Sequence, residues 1–218
     1  MREIFANVRV MKKLDAKDGS CFPMGAGDDG IETSWVHFQN RRLFLRPLNP
    51  EDMQALLEFF YSHDAETVRL RYGYHRDTMT REAAAKLVSV DQNKDHALGI
   101  FADPYGHAEL RAIGRYYLDA GGKSAEVAFV VHEANRHAGI AGFLLGELAT
   151  VAKRRGVLEF WASVMPENRA MAGLFIAAGG VESTSDVTVE REFRIPVDSI
   201  LKSRKKFLER KGIFRIKQ

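Results

Sequence analysis

The feature that most constrains this chain is an apolar segment that runs through a short polar loop into a long amphipathic stretch. Residues 125–131 are apolar except for one glutamate, and residues 132–138 form the loop. From about residue 139 to residue 155, apolar residues recur at the three- and four-residue spacing of one helical face. The sequence therefore predicts a strand that turns directly into a helix, at the centre of a mixed α/β sheet covered by helices.

The turn at the start of this helix is a candidate anion site. The first backbone N–H groups of a helix are unpaired, and the helix dipole places positive charge beside them. Gly139 and Ala141 are small enough to let an anion approach, and Arg136 could add a charge-assisted contact. The same small residues also permit close packing of the helix on the strand, so the spacing alone supports both interpretations equally.

Pattern and turn signals place the other elements around this unit. A short strand over residues 43–48 precedes residues 49–52 (Asn-Pro-Glu-Asp), which have the cap, the proline and the acids of a helix start. A second helix begins at about Thr80, and glycines between residues 118 and 125 indicate an antiparallel hairpin. The remaining predicted elements are strands over 96–102, 110–118, 157–164, 181–183 and 187–195, and a helix that opens at 166–168 and ends at 178.

The two ends of the chain differ from its body in composition. Residues 1–36 are rich in turn formers and predict an appendage outside a body of residues 37–196. Residues 197–218 hold eight basic and two acidic residues, a local charge of +6 within a chain of +3, so the rest carries −3. Apolar residues interleave with these bases. This basic tail is either a docking helix with solvated lysines or a surface for nucleic acid or an acidic partner.

Composition excludes several classes of protein. With 45% hydrophobic and 28% charged residues, the chain can bury a core of its own. Cys21 is the single cysteine, which rules out an intrachain disulfide and a thiolate-rich zinc site. No apolar run reaches the roughly 18 residues of a membrane helix, and charges interrupt the first residues where a signal peptide would be apolar. We therefore expect a cytoplasmic protein that binds neither membrane nor metal.

Two motifs in this context resemble a known superfamily. Arg136-x-x-Gly139-x-Ala141 follows the apolar strand, and about thirty residues later comes Asn-Arg-Ala-Met-Ala-Gly-Leu-Phe over residues 168–175. Together they resemble the GNAT superfamily of acyl-CoA-dependent N-acyltransferases, over about residues 42–196. Residues 45–52, 69–72 and 113–129 are similar to the GNAT domains of bacterial Pat-type protein lysine acetyltransferases. The resemblance implies a mixed, mainly antiparallel sheet of six to seven strands flanked by about four helices.

The resemblance also implies acetyl-CoA as co-substrate and assigns residues to it. The loop that would hold the CoA pyrophosphate comprises Arg136, His137, Ala138, Gly139, Ile140 and Ala141. Val130 and Val131 would offer backbone groups to the pantetheine arm, which Asn168 would also contact. An asparagine at a helix start is equally suited to capping a backbone N–H, and Asn168 could do both.

The chain departs from the superfamily pattern at two places. Phe175 is implied to lie at the cofactor site, where many relatives carry a tyrosine that can protonate the departing CoA thiolate. Phe175 has no proton to give, and its spacing with Met171 and Leu174 favours a place in the core. A thiol pKa of about 8.5 permits departure as the thiolate. The second departure is the His137-Ala138 pair, where basic residues or glycine are usual.

Glu126 is the candidate catalytic base. It is the one acid in the apolar run of residues 125–131, where burial would raise its pKa. The resemblance implies a glutamate base at this position in Pat-like relatives. The alternative is a structural acid that pairs with Arg115 across the sheet. Glu109 is the reserve candidate, and His132 and His137 are interpreted as surface loop residues.

The sequence thus predicts an acetyl-CoA-dependent N-acetyltransferase in which an amine attacks the thioester directly. A protein lysine is the first choice of acceptor, and no nucleic-acid partner is expected. The alternatives are a small-amine acetyltransferase, acting on a polyamine, an amino acid or an antibiotic, and a CoA-sensing regulatory domain without turnover. The sequence leaves the oligomeric state open, and a homo-oligomer is one of the alternatives.

Overall fold

The structure, a computed structural model, describes residues 33–72, 78–91, 94–103, 108–183 and 190–216. Cys21 and almost all of the predicted appendage lie outside these residues, as do residues 187–189 of the last predicted strand. The described part contains nine strands: β1 Ser34–Phe38, β2 Arg41–Pro47, β3 Asp95–Phe101, β4 Leu110–Leu118, β5 Ser124–Val131, β6 Glu159–Val164, β7 Val181–Ser183, β8 Arg191–Pro196 and β9 Phe214–Arg215.

Six α-helices accompany these strands in the described part. They are α1 Met53–Tyr61, α2 Ala65–Tyr72, α3 Arg81–Val88, α4 Ile140–Arg154, α5 Arg169–Ala177 and α6 Val197–Lys211. The predicted mixed α/β class is confirmed, with more strands and helices than expected. The predicted helix start at residues 49–52 is a short 3-10 turn before α1, in which Asn49 and Asp52 form a reciprocal capping box.

All strands join one sheet in the order β7-β8-β6-β5-β4-β3-β2-β1-β9. Neighbouring strands are antiparallel except β5 and β6, which are parallel. The β5–β6 pairing covers only residues 124–126 against 159–161, whereas β5 stays paired with β4 as far as Val131. The two parallel strands therefore diverge after Glu126, and the edge of β5 that faces β6 is open beyond that residue.

Each face of the sheet has its own core. Along β5, Ala125, Val127 and Phe129 pack in the core under α4, while Val130 packs in the core with α1 and α3. The alternation follows from the two-residue period of a strand. Glu126 shares the parity of Val130 and therefore lies on the α1–α3 face.

The basic tail folds onto the body as α6 and β9. Ile200, Leu201, Phe207 and Leu208 pack against the core under α4, as the docking-helix alternative predicts. A Cβ at Gly142 would overlap the ring of Phe207, so this glycine permits the close approach of α6 to α4. β9 then pairs with β1 at the far edge of the sheet.

A buried carboxylate on α4 binds both elements of this tail. Glu147 of α4 is 3% exposed and accepts hydrogen bonds from Arg204 of α6 and from Arg215 of β9, the latter at 2.9 Å. β1 begins at Ser34, three residues before the predicted start of the body at residue 37. The sheet therefore includes residues 34–36 of the predicted appendage and residues 214–215 of the basic tail.

Candidate functional site

The candidate site begins at the loop between β5 and α4. His132 starts this loop, and its Nδ1 accepts a hydrogen bond from the Ala134 amide at 3.2 Å. His137 and Gly139 both have positive φ, at 64° and 85°. Gly139 is the N-cap of α4, and no side chain caps the helix there. The helix start therefore has the uncapped first turn that the predicted anion site requires, and anion binding there stays a prediction.

A cavity of about 470 Å³ opens over this turn, within the range of small-molecule binding sites. It extends from the end of β5 to the start of α5. Eight of the ten residues predicted for the cofactor line it: Val130, Val131, Arg136, His137, Gly139, Ile140, Ala141 and Asn168.

Two residues predicted for the cofactor lie outside the cavity lining. Ala138 is buried in the core under α4. Phe175 is 1% exposed, and its ring packs between those of Phe129 and Phe193, with centroids 6.3 and 5.8 Å away. The core alternative that its helical spacing favours agrees with this placement.

Asn168 caps α5 and lines the cavity at the same time. Its Oδ1 accepts a hydrogen bond from the Met171 amide at 3.1 Å. The capping alternative is thus observed, and the side chain is fixed at the cavity wall by it. The cofactor contact stays a prediction.

Arg136 is held by α2, a helix that the sequence pattern does not predict. Its guanidinium donates to Thr67 Oγ1, and Thr67 in turn donates to Asp64, which starts the helix. The hydrogen bonds from Thr67 hold the pKa of Asp64 below its ordinary value. Thr67 and Leu70 both line the cavity. The α2 segment lacks an apolar stripe, so no periodicity could have found it.

Glu126 lies where β5 and β6 separate, outside the cavity lining. It is 8% exposed, and the register places it opposite Tyr117 of β4 and Trp161 of β6. The pair of Glu126 with Trp161 is the last of the β5–β6 pairing, so Glu126 lies at the residue where the cleft between these strands closes. The cavity lies toward the open end, where Val130 and Val131 stand.

Arg115 shares this face of the sheet with Glu126. Its Nη2 donates to the Leu87 carbonyl at 2.7 Å, and its guanidinium lies 4.9 Å from the ring centre of Tyr117. Asp95 lies opposite Tyr117 in the sheet, and burial raises the pKa of its carboxyl while Arg115 opposes that shift. The α1–α3 face therefore gathers ionisable groups in partly dry surroundings.

The other candidates lie elsewhere. Glu109 precedes β4 at the end opposite Glu126, and its exposed carboxylate pairs with Arg111 at 2.5 Å. His137 is exposed, and His132 is half-buried in the loop. Within the described ranges, no three His, Cys, Asp or Glu side chains converge as metal ligands would. None of the described helices combines the length and apolar composition needed to cross a membrane.

An open sheet whose two parallel strands diverge beside an uncapped helix start defines the GNAT fold class. The chain belongs to the family described as acetyltransferase (GNAT) domain, whose sequence model matches residues 42–181. It is 30% identical over 166 residues to the acetyltransferase Pat of Mycolicibacterium smegmatis, covering 72% of this chain and 47% of that relative. The chain thus spans about half the length of that curated relative.

Solved structures agree with this assignment. The GNAT domain of S. lividans PAT superposes with a TM-score of 0.65 at 25% identity, covering 73% of this chain and 93% of that domain. The putative acetyltransferase yncA from Salmonella typhimurium, solved with its cofactor acetyl-CoA, has a TM-score of 0.56 at 16% identity over 72% of this chain and 94% of its own. The second likeness supports the fold alone.

Proposed function

We propose that this protein transfers the acetyl group of acetyl-CoA to the side-chain amine of a protein lysine. The observation that carries the proposal is the cleft between β5 and β6. It is closed at Glu126 and opens toward the start of α4, so a buried glutamate and an uncapped helix start lie at its two ends. A molecule with a diphosphate at one end and a reactive thioester at the other fits such a cleft.

The anion-binding end would hold the CoA diphosphate. The amides at the start of α4 supply hydrogen bonds, and the helix dipole adds positive potential. Arg136 and Lys211 line the same cavity and supply charge. The β6-facing edge of β5 lies between this turn and Glu126, and its backbone groups would bind the pantetheine arm.

The reacting end needs a base, because a lysine ammonium with a pKa of about 10.4 has no lone pair to offer. Glu126 would take one ammonium proton, directly or through water, and the neutral nitrogen would attack the thioester carbonyl carbon. The C–N bond forms, the C–S bond breaks, and CoA leaves as the thiolate. Backbone N–H groups of β5 would stabilise the oxygen that becomes negative in the transition state.

Phe175 supplies no phenol to protonate the departing thiolate. Phe175 occupies the position where a tyrosine is common in the superfamily, and its ring is buried among aromatic neighbours. Departure as the thiolate is compatible with a thiol pKa of about 8.5. Because Phe175 cannot donate a proton, the test of function also includes a CoA-sensing domain without turnover as one of its outcomes.

The test is thiol release from acetyl-CoA by the full chain, with three sets of acceptors: lysine-containing proteins, small amines such as polyamines and amino acids, and buffer alone. We expect release that depends on protein acceptors and acetyl-lysine in their mass spectra. Release with small amines only would reassign the acceptor class. CoA binding without release under any condition would favour the sensing domain.

A further inference from the structure

A second cavity, of about 440 Å³, lies between α4, α5 and α6. Its walls include Leu145, Leu174 and Ile200, and its basic residues include Lys206 and Arg210 of α6. Lys206 and Arg210 are four residues apart, so they stand on one face of the helix. An apolar wall with a row of cations suits a flat base that carries phosphate groups.

This second cavity adjoins the first. Gly142, Ala170, Leu174 and Phe207 line both cavities, and Phe207 packs against the first turn of α4. The last turn of α6 approaches the anion-binding loop, where Lys211 Nζ lies 3.5 Å from the His137 carbonyl oxygen. A ligand that lies on the α4 turn can therefore continue along α6 without a break.

Two of the cations that line the second cavity, Lys206 and Arg210, have no carboxylate partner among the described residues. Other bases of the region do have one: Arg204 pairs with Glu147, and Lys153 pairs with Asp198 at 2.8 Å. Lys206 and Arg210 are exposed, and neither forms an ion pair within the described part of the chain. Their charge is available to a ligand.

We propose that α6 completes the acyl-CoA site by binding the nucleotide end of the molecule. The adenine would lie on the apolar wall between α5 and α6, and Lys206 and Arg210 would bind the 3′-phosphate of the ribose. The inference rests on the proposed function and names two residues that would recognise the 3′-phosphate. α6 lies beyond residues 42–181, so both residues lie outside the part of the chain that matches the family model.

The experiment is calorimetric titration of the full chain with CoA and with 3′-dephospho-CoA. These ligands share the diphosphate and the pantetheine and differ only in the 3′-phosphate. We expect the wild type to bind CoA roughly ten-fold more tightly, as one or two charge-assisted hydrogen bonds allow. The preference should shrink as salt is added, because exposed charges are screened.

The double variant Lys206→Gln, Arg210→Gln should lose this preference and keep its affinity for 3′-dephospho-CoA. That retained affinity also reports an intact fold. Lys205→Gln is the matched control, because Lys205 is exposed on the same helix and lines neither cavity. It should keep the preference.

The outcomes separate this inference from the proposed function. Equal binding of the two ligands by the wild type, or a preference that survives in the double variant, would overturn the role of α6 and leave the CoA site at the α4 turn in place. Failure of the wild type to bind either ligand would overturn the proposed function, and the α6 subsite with it.

Discussion

The candidate sites on the two faces of the sheet around β5 use different chemical groups. On the α4 face, the candidate anion site consists of backbone amides that small residues leave accessible, at Gly139 and Ala141. On the α1–α3 face, the candidate chemistry depends on one side chain, that of Glu126. A backbone site tolerates any residue that stays small, whereas a side-chain site fails when one functional group is lost.

This difference determines how each face should respond to substitution. Removing the functional group at Glu126 should slow turnover and spare CoA binding. Adding bulk and charge at the α4 turn should weaken CoA binding. Substitutions on the two faces should therefore separate turnover from CoA affinity.

The largest effect is expected for Glu126→Gln, which keeps the shape and removes the basicity. Turnover should fall by roughly 10² to 10⁴, the usual contribution of a general base. Affinity for CoA should stay near that of the wild type, because Glu126 lies outside the cavity lining. The loss should shrink at high pH, where more of the acceptor amine is already neutral.

Glu109→Gln is the matched control for this experiment. Glu109 is the reserve candidate, but its exposed carboxylate lies at the opposite end of the sheet. We expect its turnover to be unchanged in a steady-state assay of thiol release. Full activity of Glu126→Gln at pH 7 would remove Glu126 from the chemistry, and a matching loss of CoA affinity would make it structural.

On the binding side, Gly139→Glu should lower CoA affinity by roughly 10²-fold, since a carboxylate beside the diphosphate is a like-charge contact. The new side chain would also meet Ile213, Lys211 and Phe207, and the φ of 85° strains any residue other than glycine. Calorimetry with CoA measures the loss.

Gly122→Glu is the control that distinguishes backbone strain from disruption of the CoA site. Gly122 also has a positive φ, 66°, and a Cβ there meets no atom within 4 Å. It should lose a similar amount of stability through its backbone and keep its CoA affinity. If both variants bind CoA like the wild type, the α4 turn is not the diphosphate site.

Local sequence signals predicted much of this arrangement. Hydrophobic periodicity predicted the strand-loop-helix unit with Gly139 at its turn, and turn-forming residues predicted the hairpin of β4 and β5. Glu126 stood out because it is the one acid in an apolar strand. β9 has two residues and exists because β1 accepts it, so no local pattern could predict it. The α2 and α6 contributions to the cavity, Thr67 and Lys211, depend on contacts between distant segments, which periodicity does not report.

A smaller effect is expected at Glu147, where the comparison concerns how α6 is held on the α4 face. Glu147→Gln would remove the buried carboxylate that Arg204 and Arg215 share, and we expect a loss of about 2 kcal/mol in the free energy of unfolding. The midpoint of urea unfolding measures it. Glu192→Gln breaks an exposed pair with Arg194 and should cost less than about 0.5 kcal/mol. If both variants lost the same free energy of unfolding, the buried Glu147 carboxylate would contribute no more to stability than an exposed ion pair does.

The smallest effect is expected on the pH dependence of stability and concerns His63, which follows α1. Burial, the His132 ring and Arg136, in that order, lower the pKa of His63 from 6.5 to about 4. Neither ring nitrogen has a hydrogen-bond partner among the described residues. The folded chain therefore favours neutral His63, and below pH 6.5 the unfolded chain takes up a proton that the folded chain does not. Stability is full above pH 6.5 and declines as pH falls toward 4.

His63→Phe should reduce this decline by about 1 kcal/mol between pH 7 and pH 5, a value that allows for the exposed part of the ring. A phenylalanine also extends the contact with Phe59, whose ring centre lies 4.4 Å from that of His63. His132→Asn removes the second cause of the shift, so the pKa of His63 should move back toward 6.5 in an NMR titration of the ring protons. A wild-type slope in urea unfolding of His63→Phe at the two pH values would show that the acid sensitivity belongs to other groups. CoA affinity should be unchanged in His63→Phe at pH 7, because the histidine it replaces is neutral there and does not line the cavity.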